Sequence, residues 1–346
     1  MGIRGTIVAL LACVVLAGCA GSTEGSAVTP AFTLPVGPTT WDTTAPAWLL
    51  DGTLHVGDVT VELGDDVDQF VLGATGVYWN RGGTLLFTSA DGDSREVADV
   101  RWDNLAVSAD RSVLATVDQS RGPTDRYGTH VIQVAAFDTR TGQQLYRTPD
   151  EKPDRDADLA DLYGEIMPLL HGVSPEHVFF DGATIDLGDG SREAATLDAD
   201  GLEVYPHLAD TLFPAGYRVS ISGEGRHREL SDSSLYGPGL LSPDRSTIFD
   251  TSAWPTQAVV YDAASGDQRG IDAPWEHFTL AGWSDADTFF GVAEEIDEAH
   301  VDNIVRARQV VTCELRSLRC EPVSPVVPTP EEGDPATLLV EGTAAL

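Results

Sequence analysis

Lysine is almost missing from this chain of 346 residues: it occurs once, at Lys152, while cysteine occurs four times and methionine twice. Positive charge is scarce altogether, since 21 Lys and Arg face 55 Asp and Glu, a formal net charge of −34 at pH 7. A field of that sign repels phosphate backbones and so excludes nucleic acid as a partner. Long apolar runs are missing too. The longest, Ile7 to Ala17, falls well short of the roughly 20 residues that a membrane-spanning helix needs. The eight histidines, His55, His130, His171, His177, His207, His227, His277 and His300, show neither H-x-x-x-H nor H-E-x-x-H spacing. No G-x-S-x-G elbow, phosphate loop or dinucleotide fingerprint occurs. The sequence therefore nominates no catalytic, cofactor-binding or metal-ligating residue, and no cofactor.

What is present begins at the N-terminus. Arg4 followed by the apolar run has the layout of a secretory signal. The run closes with Leu16-Ala17-Gly18-Cys19, which resembles the lipobox of bacterial lipoproteins. That resemblance implies cleavage after residue 18 and diacylglycerol and a palmitate-type acyl chain on Cys19. The chain would then be lipid-anchored at the extracytoplasmic face of the cell membrane, because two or more acyl chains make anchoring stable. An ordinary secretory signal with a chance cysteine is the alternative. Residues 1–18 read as signal peptide and 19–45, rich in Gly, Ser, Thr and Pro, as a flexible tether. Residues 46–326 read as the folded domain, and 327–346 as a Pro-rich acidic tail.

Within the domain, short alternating runs of Val, Leu, Thr, Phe and Tyr are broken by Gly, Asp and Ser, the pattern of strands and hairpins. The runs repeat. AVSADRSVLAT (106–116) answers LLSPDRSTIFD (240–250), with weaker echoes around Ser174 and Ser284. AAFDTRTGQQ (135–144) answers VVYDAASGDQ (259–268), sharing Asp138 with Asp262 and Gly142 with Gly266. Each unit reads as a strand-to-strand corner followed by a hairpin. Hairpins are expected at 54–63, 85–97, 132–146, 184–196, 217–230, 258–270 and 309–322, recurring on average roughly every 42 residues, the period of a four-stranded propeller blade. The fold class expected is all-β, a β-propeller of seven blades, with six allowed by the unequal spacing. These corners and hairpins resemble those of bacterial WD-repeat-like and TolB-like β-propellers, here in a lipoprotein like those of actinobacteria. One departure is Arg245, where that family carries glycine after S-P-D.

One segment breaks the pattern. In DADLADLYGEIMPLL (156–170) the apolar residues recur at helical spacing with acids in the first turn, which predicts one short inserted helix that Pro168 ends. It would plug one face or serve as a mobile or docking element. Asp198-Ala199-Asp200-Gly201 starts like a calcium loop but lacks the third acidic ligand and the later glycine, so it reads as a turn. The acidic run 150–158 reads as a solvated face, with weak cation attraction as the alternative.

In CELRSLRC (313–320), Glu314 takes the place of the hairpin aspartate and Leu318 that of the glycine. A turn centred on Arg316-Ser317 sets Cys313 opposite Cys320 on one face, at a Cα separation of about 4.5 to 5.5 Å, which suits a disulfide. A redox-active pair or half a metal site are the other readings.

The functional expectation is a non-catalytic binding or scaffold module of the envelope, a monomer whose partner is an envelope protein, peptide or small ligand. The alternative is a propeller hydrolase or lyase with carboxylates in its central channel. Mass spectrometry of the mature protein should find acylated Cys19 and a 313–320 crosslink; free thiols at 313 and 320 would remove the staple.

Overall fold

A computed structural model of the chain describes residues 33–42, 44–99, 105–108, 110–165, 168–197, 203–207, 240–242, 246–250, 259–262, 267–275, 277–285, 287–297, 304–330 and 337–341. Four-stranded antiparallel meanders follow one another along it. The second is Gln69–Gly73, Gly76–Arg81, Thr84–Ser89 and Ser94–Asp99. The third is Leu105–Val107, Val113–Asp118, Gln133–Asp138 and Gln144–Arg147. The fourth is Leu170–Val173, His177–Phe180, Ala183–Asp186 and Arg192–Ala194. Further on, Leu240–Leu241, Thr247–Asp250, Val259–Asp262 and Gln268–Arg269 make another, and His277–Trp283, Thr288–Asp297, Ile304–Glu314 and Cys320–Pro322 make the last. A two-stranded ladder, Thr196–Leu197 with Glu203–Val204, lies between the fourth meander and the one at 240–269.

The first meander is discontinuous in sequence. Ala47–Leu50, Thr53–Val56 and Val59–Glu62 are joined by Leu338–Val340, which pairs with Ala47–Leu50 in the register Trp48 to Val340. The apolar clusters show how the sheets are arranged. Leu54 and Val61 of the first pack with Phe70 and Trp79 of the second, while Tyr78 and Phe87 on the other face of the second pack with Leu114 and Phe137 of the third. Ala115 and Val134 of the third meet Val178 and Ile185 of the fourth, and Trp48 and Val340 of the first meet Phe290 and Val310 of the last. Period-two alternation thus gives each sheet two buried faces, one per neighbour. The first strands of the second, third and fourth sheets neighbour one another, so they are the innermost. This is a β-propeller, its sheets are blades, and Leu338–Val340 closes the ring.

The six expected hairpins that fall on described residues are each the third and fourth strands of a blade. The seventh, 217–230, lies outside the described residues. The corners obey one rule. The corner serine donates its backbone N–H to the first carbonyl of the next strand, as Ser108 does to Val113, Ser174 to His177 and Ser242 to Thr247, and its Oγ accepts the N–H of that same residue. The hairpin turns also share one rule: the N–H of Gly142, Gly190 and Leu318 reaches the carbonyl of Asp138, Asp186 and Glu314. Gly142 and Gly190 lie at φ +71° and +74°, and Leu318 adopts the same left-handed conformation at +56°.

Three boundaries differ from those expected. The helix, α1, spans Leu159–Glu165 and not 156–170, because Pro168 cannot continue it and Leu170 belongs to the innermost strand of the fourth blade. The domain does not stop at 326: Val327–Pro328 pairs with the last blade, and Leu338–Val340 is the closing strand. Nor does it start at 46, since Leu34 and Trp41 are buried against the blades.

The closing strand is clasped by the residue after it. Glu341, 5% exposed, accepts Leu72 N at 2.7 Å and Arg111 Nη1 at 2.5 Å through Oε1. Burial pushes its carboxyl above the ordinary range, and the Arg111 charge and the Leu72 amide pull it back. Arg111 sits at φ +59°, a left-handed conformation that glycine adopts more cheaply. A left-handed non-glycine residue costs roughly 1–2 kcal/mol, and the pair that joins the first blade to the second and third offsets it. Glu341→Ala strands Arg111 and the Leu72 amide, and should lower unfolding stability by about 3 to 5 kcal/mol in urea titrations; a loss below 1 kcal/mol would show that the clasp is dispensable.

Candidate functional site

The repeated elements all lie at one end of the blades. Innermost strands run towards the corners, and the third-to-fourth-strand turns lie at that same end, so corners and hairpin turns make one regular face, here the corner face. The opposite end, the loop face, carries the connections that depart from the repeat. These are the loop 119–132, the stretch 148–169 with α1, the long hairpin Thr288–Asp297 and Ile304–Glu314, and the stretch 323–337. Irregular loops on a rigid scaffold are where binding surfaces concentrate.

On the loop face, 119–132 and α1 are locked together by Asp125. Its Oδ1 accepts the N–H of Tyr127 at 2.8 Å and of Thr129 at 2.9 Å, and its Oδ2 accepts the N–H of Leu159, the first residue of α1, at 2.8 Å. Burial pushes the Asp125 carboxyl up, but the amides of Leu159, Thr129 and Tyr127 outweigh it and hold the group below the ordinary 3.8. Asp158 caps the helix, its Oδ1 accepting the N–H of Asp161. Ile132 N donates to Tyr163 Oη at 3.0 Å, a second rivet. Apolar side chains nevertheless stay in solvent here: Tyr127 is 60% exposed, Leu162 47% and Leu169 45%. The Arg126 guanidinium lies 4.6 Å from the Tyr127 ring centre and 3.7 Å from Asp156.

At this end of the third blade is a buried polar layer that turns towards the second blade. Asp118 and Arg147 pair at 3.3 Å with both side chains essentially inaccessible. Arg147 donates to Gln133 Oε1 at 2.5 Å, Gln133 Nε2 donates to Thr148 O and Asp150 Oδ1, and Ser120 N and Oγ both donate to Asp118 Oδ1. Gln69 of the second blade bridges to the backbone of Leu105, donating to its carbonyl and accepting its amide. The two bonds from Ser120 to Asp118 tie the start of loop 119–132 to this buried pair.

The residues singled out in the sequence fall as follows. Cys313 and Cys320 pair directly in the strand register and are joined by a disulfide, with Cα atoms 4.0 Å apart, closer than the spacing expected. The turn places them on the corner face, with Leu315 and Leu318 buried beside them. Glu314 accepts a hydrogen bond from Ser317 Oγ at 2.8 Å. Cys19, His227, His300 and residues 198–201 lie outside the described residues. His55 stacks on Trp48 at 3.8 Å, His177 stacks on His207 at 4.6 Å, His171 contacts Tyr205, His130 Nδ1 meets Gly122 O, and His277 is buried. Among the described residues no three His, Cys, Asp or Glu gather where they could hold a metal ion. In the acidic run, Asp150 bonds Gln133, Asp156 pairs with Arg126, and Asp158 caps α1.

No family model and no curated protein matches the chain. Among solved structures it is similar to a putative TolB from Agrobacterium tumefaciens, with 12% identity over 82% of this chain and 88% of that one and a TM-score of 0.38. It is also similar to TolB from Acinetobacter baumannii, with 10% identity, coverage of 80% and 63%, and a TM-score of 0.40. A third is an oligogalacturonate lyase from Vibrio parahaemolyticus, with 10% identity, coverage of 84% and 77%, and a TM-score of 0.34.

Sequence reasoning found the repeats but missed Asp125 and the Asp118–Arg147 pair, which no local spacing marks. Because the Asp125 carboxyl is lowered in the fold, its contribution is complete above pH 3.8 and fades as pH falls through its folded value. Hydrogen exchange at Leu159 and Thr129 should therefore accelerate in acid before the blade amides do. Asp125→Ala should show the same acceleration at pH 7, and unchanged exchange in both experiments would disprove the lock.

Proposed function

We propose that this chain is a lipid-anchored, extracytoplasmic β-propeller that works as a non-catalytic binding module of the cell envelope, engaging a protein or peptide through its loop face. The carrying observation is that Tyr127 and Leu162 stay exposed on a loop and helix held rigid by Asp125 and Tyr163, with Leu169 exposed beyond the helix. Keeping apolar side chains in water on an immobilised surface costs no ordering entropy when a partner covers them, and tyrosine is among the side chains that contribute most at such contacts. The lipobox at Leu16 to Cys19 supports the anchor and the envelope location. The strongly negative charge favours partners carrying basic groups and disfavours acidic ones.

A photo-crosslinking amino acid at position 162 should capture a discrete envelope protein or peptide in intact cells, and one at Val59, on the outer strand of the first blade, should not. With the crosslinker kept at 162, Tyr127→Ala together with Leu169→Ser should abolish that capture while thermal unfolding stays the same. Identical crosslinking patterns at 162 and 59 would remove the loop face as the binding surface.

A further inference from the structure

Residues 33–42, expected to belong to the tether, are bound along the corner face. Leu34 is 1% exposed in the cluster between the second and third blades, and Trp41 is buried between the first and second. Between them, Pro35 O accepts Tyr78 Oη at 2.7 Å and Gly37 N donates to Thr75 Oγ1 at 3.0 Å, while Trp41 Nε1 donates to Gly73 O at 3.0 Å. Two glycines permit the approach. A Cβ on Gly37 would stand 2.5 Å from Thr75 O, and one on Gly142 would collide with Leu34 O. Gly73 and Thr75 belong to the corner of the second blade, and Gly142 to the hairpin turn of the third. The strap therefore hands the chain over at the corner face, and only residues 19–32 separate Leu34's end of it from Cys19.

We infer that the strap sets the orientation of the propeller on the bilayer: the corner face lies towards the phospholipid surface, and the loop face with α1 points away from it, open to partners. This rests on the anchoring proposed above. Residues 19–32 span at most roughly 50 Å when fully extended, and their folded end leaves from the corner face. Turning the loop face to the lipid would force them to run around the whole edge of the ring. Undocking residues 33–44 would add roughly 40 Å of reach and release that constraint.

The test uses the full-length lipidated protein in vesicles of phosphatidylcholine and phosphatidylglycerol that carry a bilayer-located quencher. A fluorescent amino acid is placed at exposed position 140 on the corner face or at exposed position 156 on the loop face. Quenching at 140 should exceed that at 156 at least twofold. A Gly/Ser insertion between Ser26 and Ala27, which leaves the strap and the fold intact, should bring the two values together; Leu34→Ser with Trp41→Ala should do the same. Equal or reversed quenching in the unaltered protein, or a difference that survives the insertion, would overturn the orientation. Protein that fails to float with the vesicles would instead overturn the anchor, and the orientation with it.

Discussion

The whole ring depends on three residues from one end of the domain pairing with three from the other. Leu338–Val340 supplies the innermost strand of a blade whose other strands begin at Ala47, and the same residues form one wall of the cluster between the first blade and the last. Loop-closure entropy grows only with the logarithm of length. Joining ends nearly three hundred residues apart therefore costs about 2 kcal/mol more than closing a single blade's worth of chain. Burying Leu338, Leu339 and Val340 returns roughly 1.5–3 kcal/mol each, so the closure is favourable before the Glu341 clasp is counted.

Around that closure the two faces of the ring follow different rules. On the corner face the third blade, the fourth and the one at 240–269 solve the same local problem, how to satisfy the backbone groups of a tight reversal, with a serine hydroxyl or an aspartate carboxylate. On the loop face each connection is built differently. There Asp125 binds a helix to a loop and Arg147 is held by Asp118 and Gln133.

This division also explains what could be read from the sequence. The corners at Ser108, Ser174, Ser242 and Ser284 and the hairpins ending at Gly142 and Leu318 were legible because all their determinants fall within six residues. The register of Cys313 and Cys320 followed from the same rule. The closing strand was not legible, since Leu338-Leu339-Val340 is too short a run to announce a partner at Trp48, and a proline-rich approach disguises it. Leu34 and Trp41 were hidden in the same way by the glycines and threonines around them. Two of the non-glycine residues in left-handed conformation, Arg111 and Leu318, are informative in hindsight. Each takes a backbone position where glycine is cheaper because its side chain is used elsewhere, Arg111 on Glu341 and Leu318 in the core beside the disulfide.

The C-terminal position of the closing strand also dictates the order of assembly. Synthesis delivers the strands from Ala47 onwards first, yet the first blade stays incomplete until Leu338–Val340 has been made. A chain that stopped before Leu338 would hold the other described blades but no finished circle. Whether the ring can shut therefore depends on the last strand of the domain to be made.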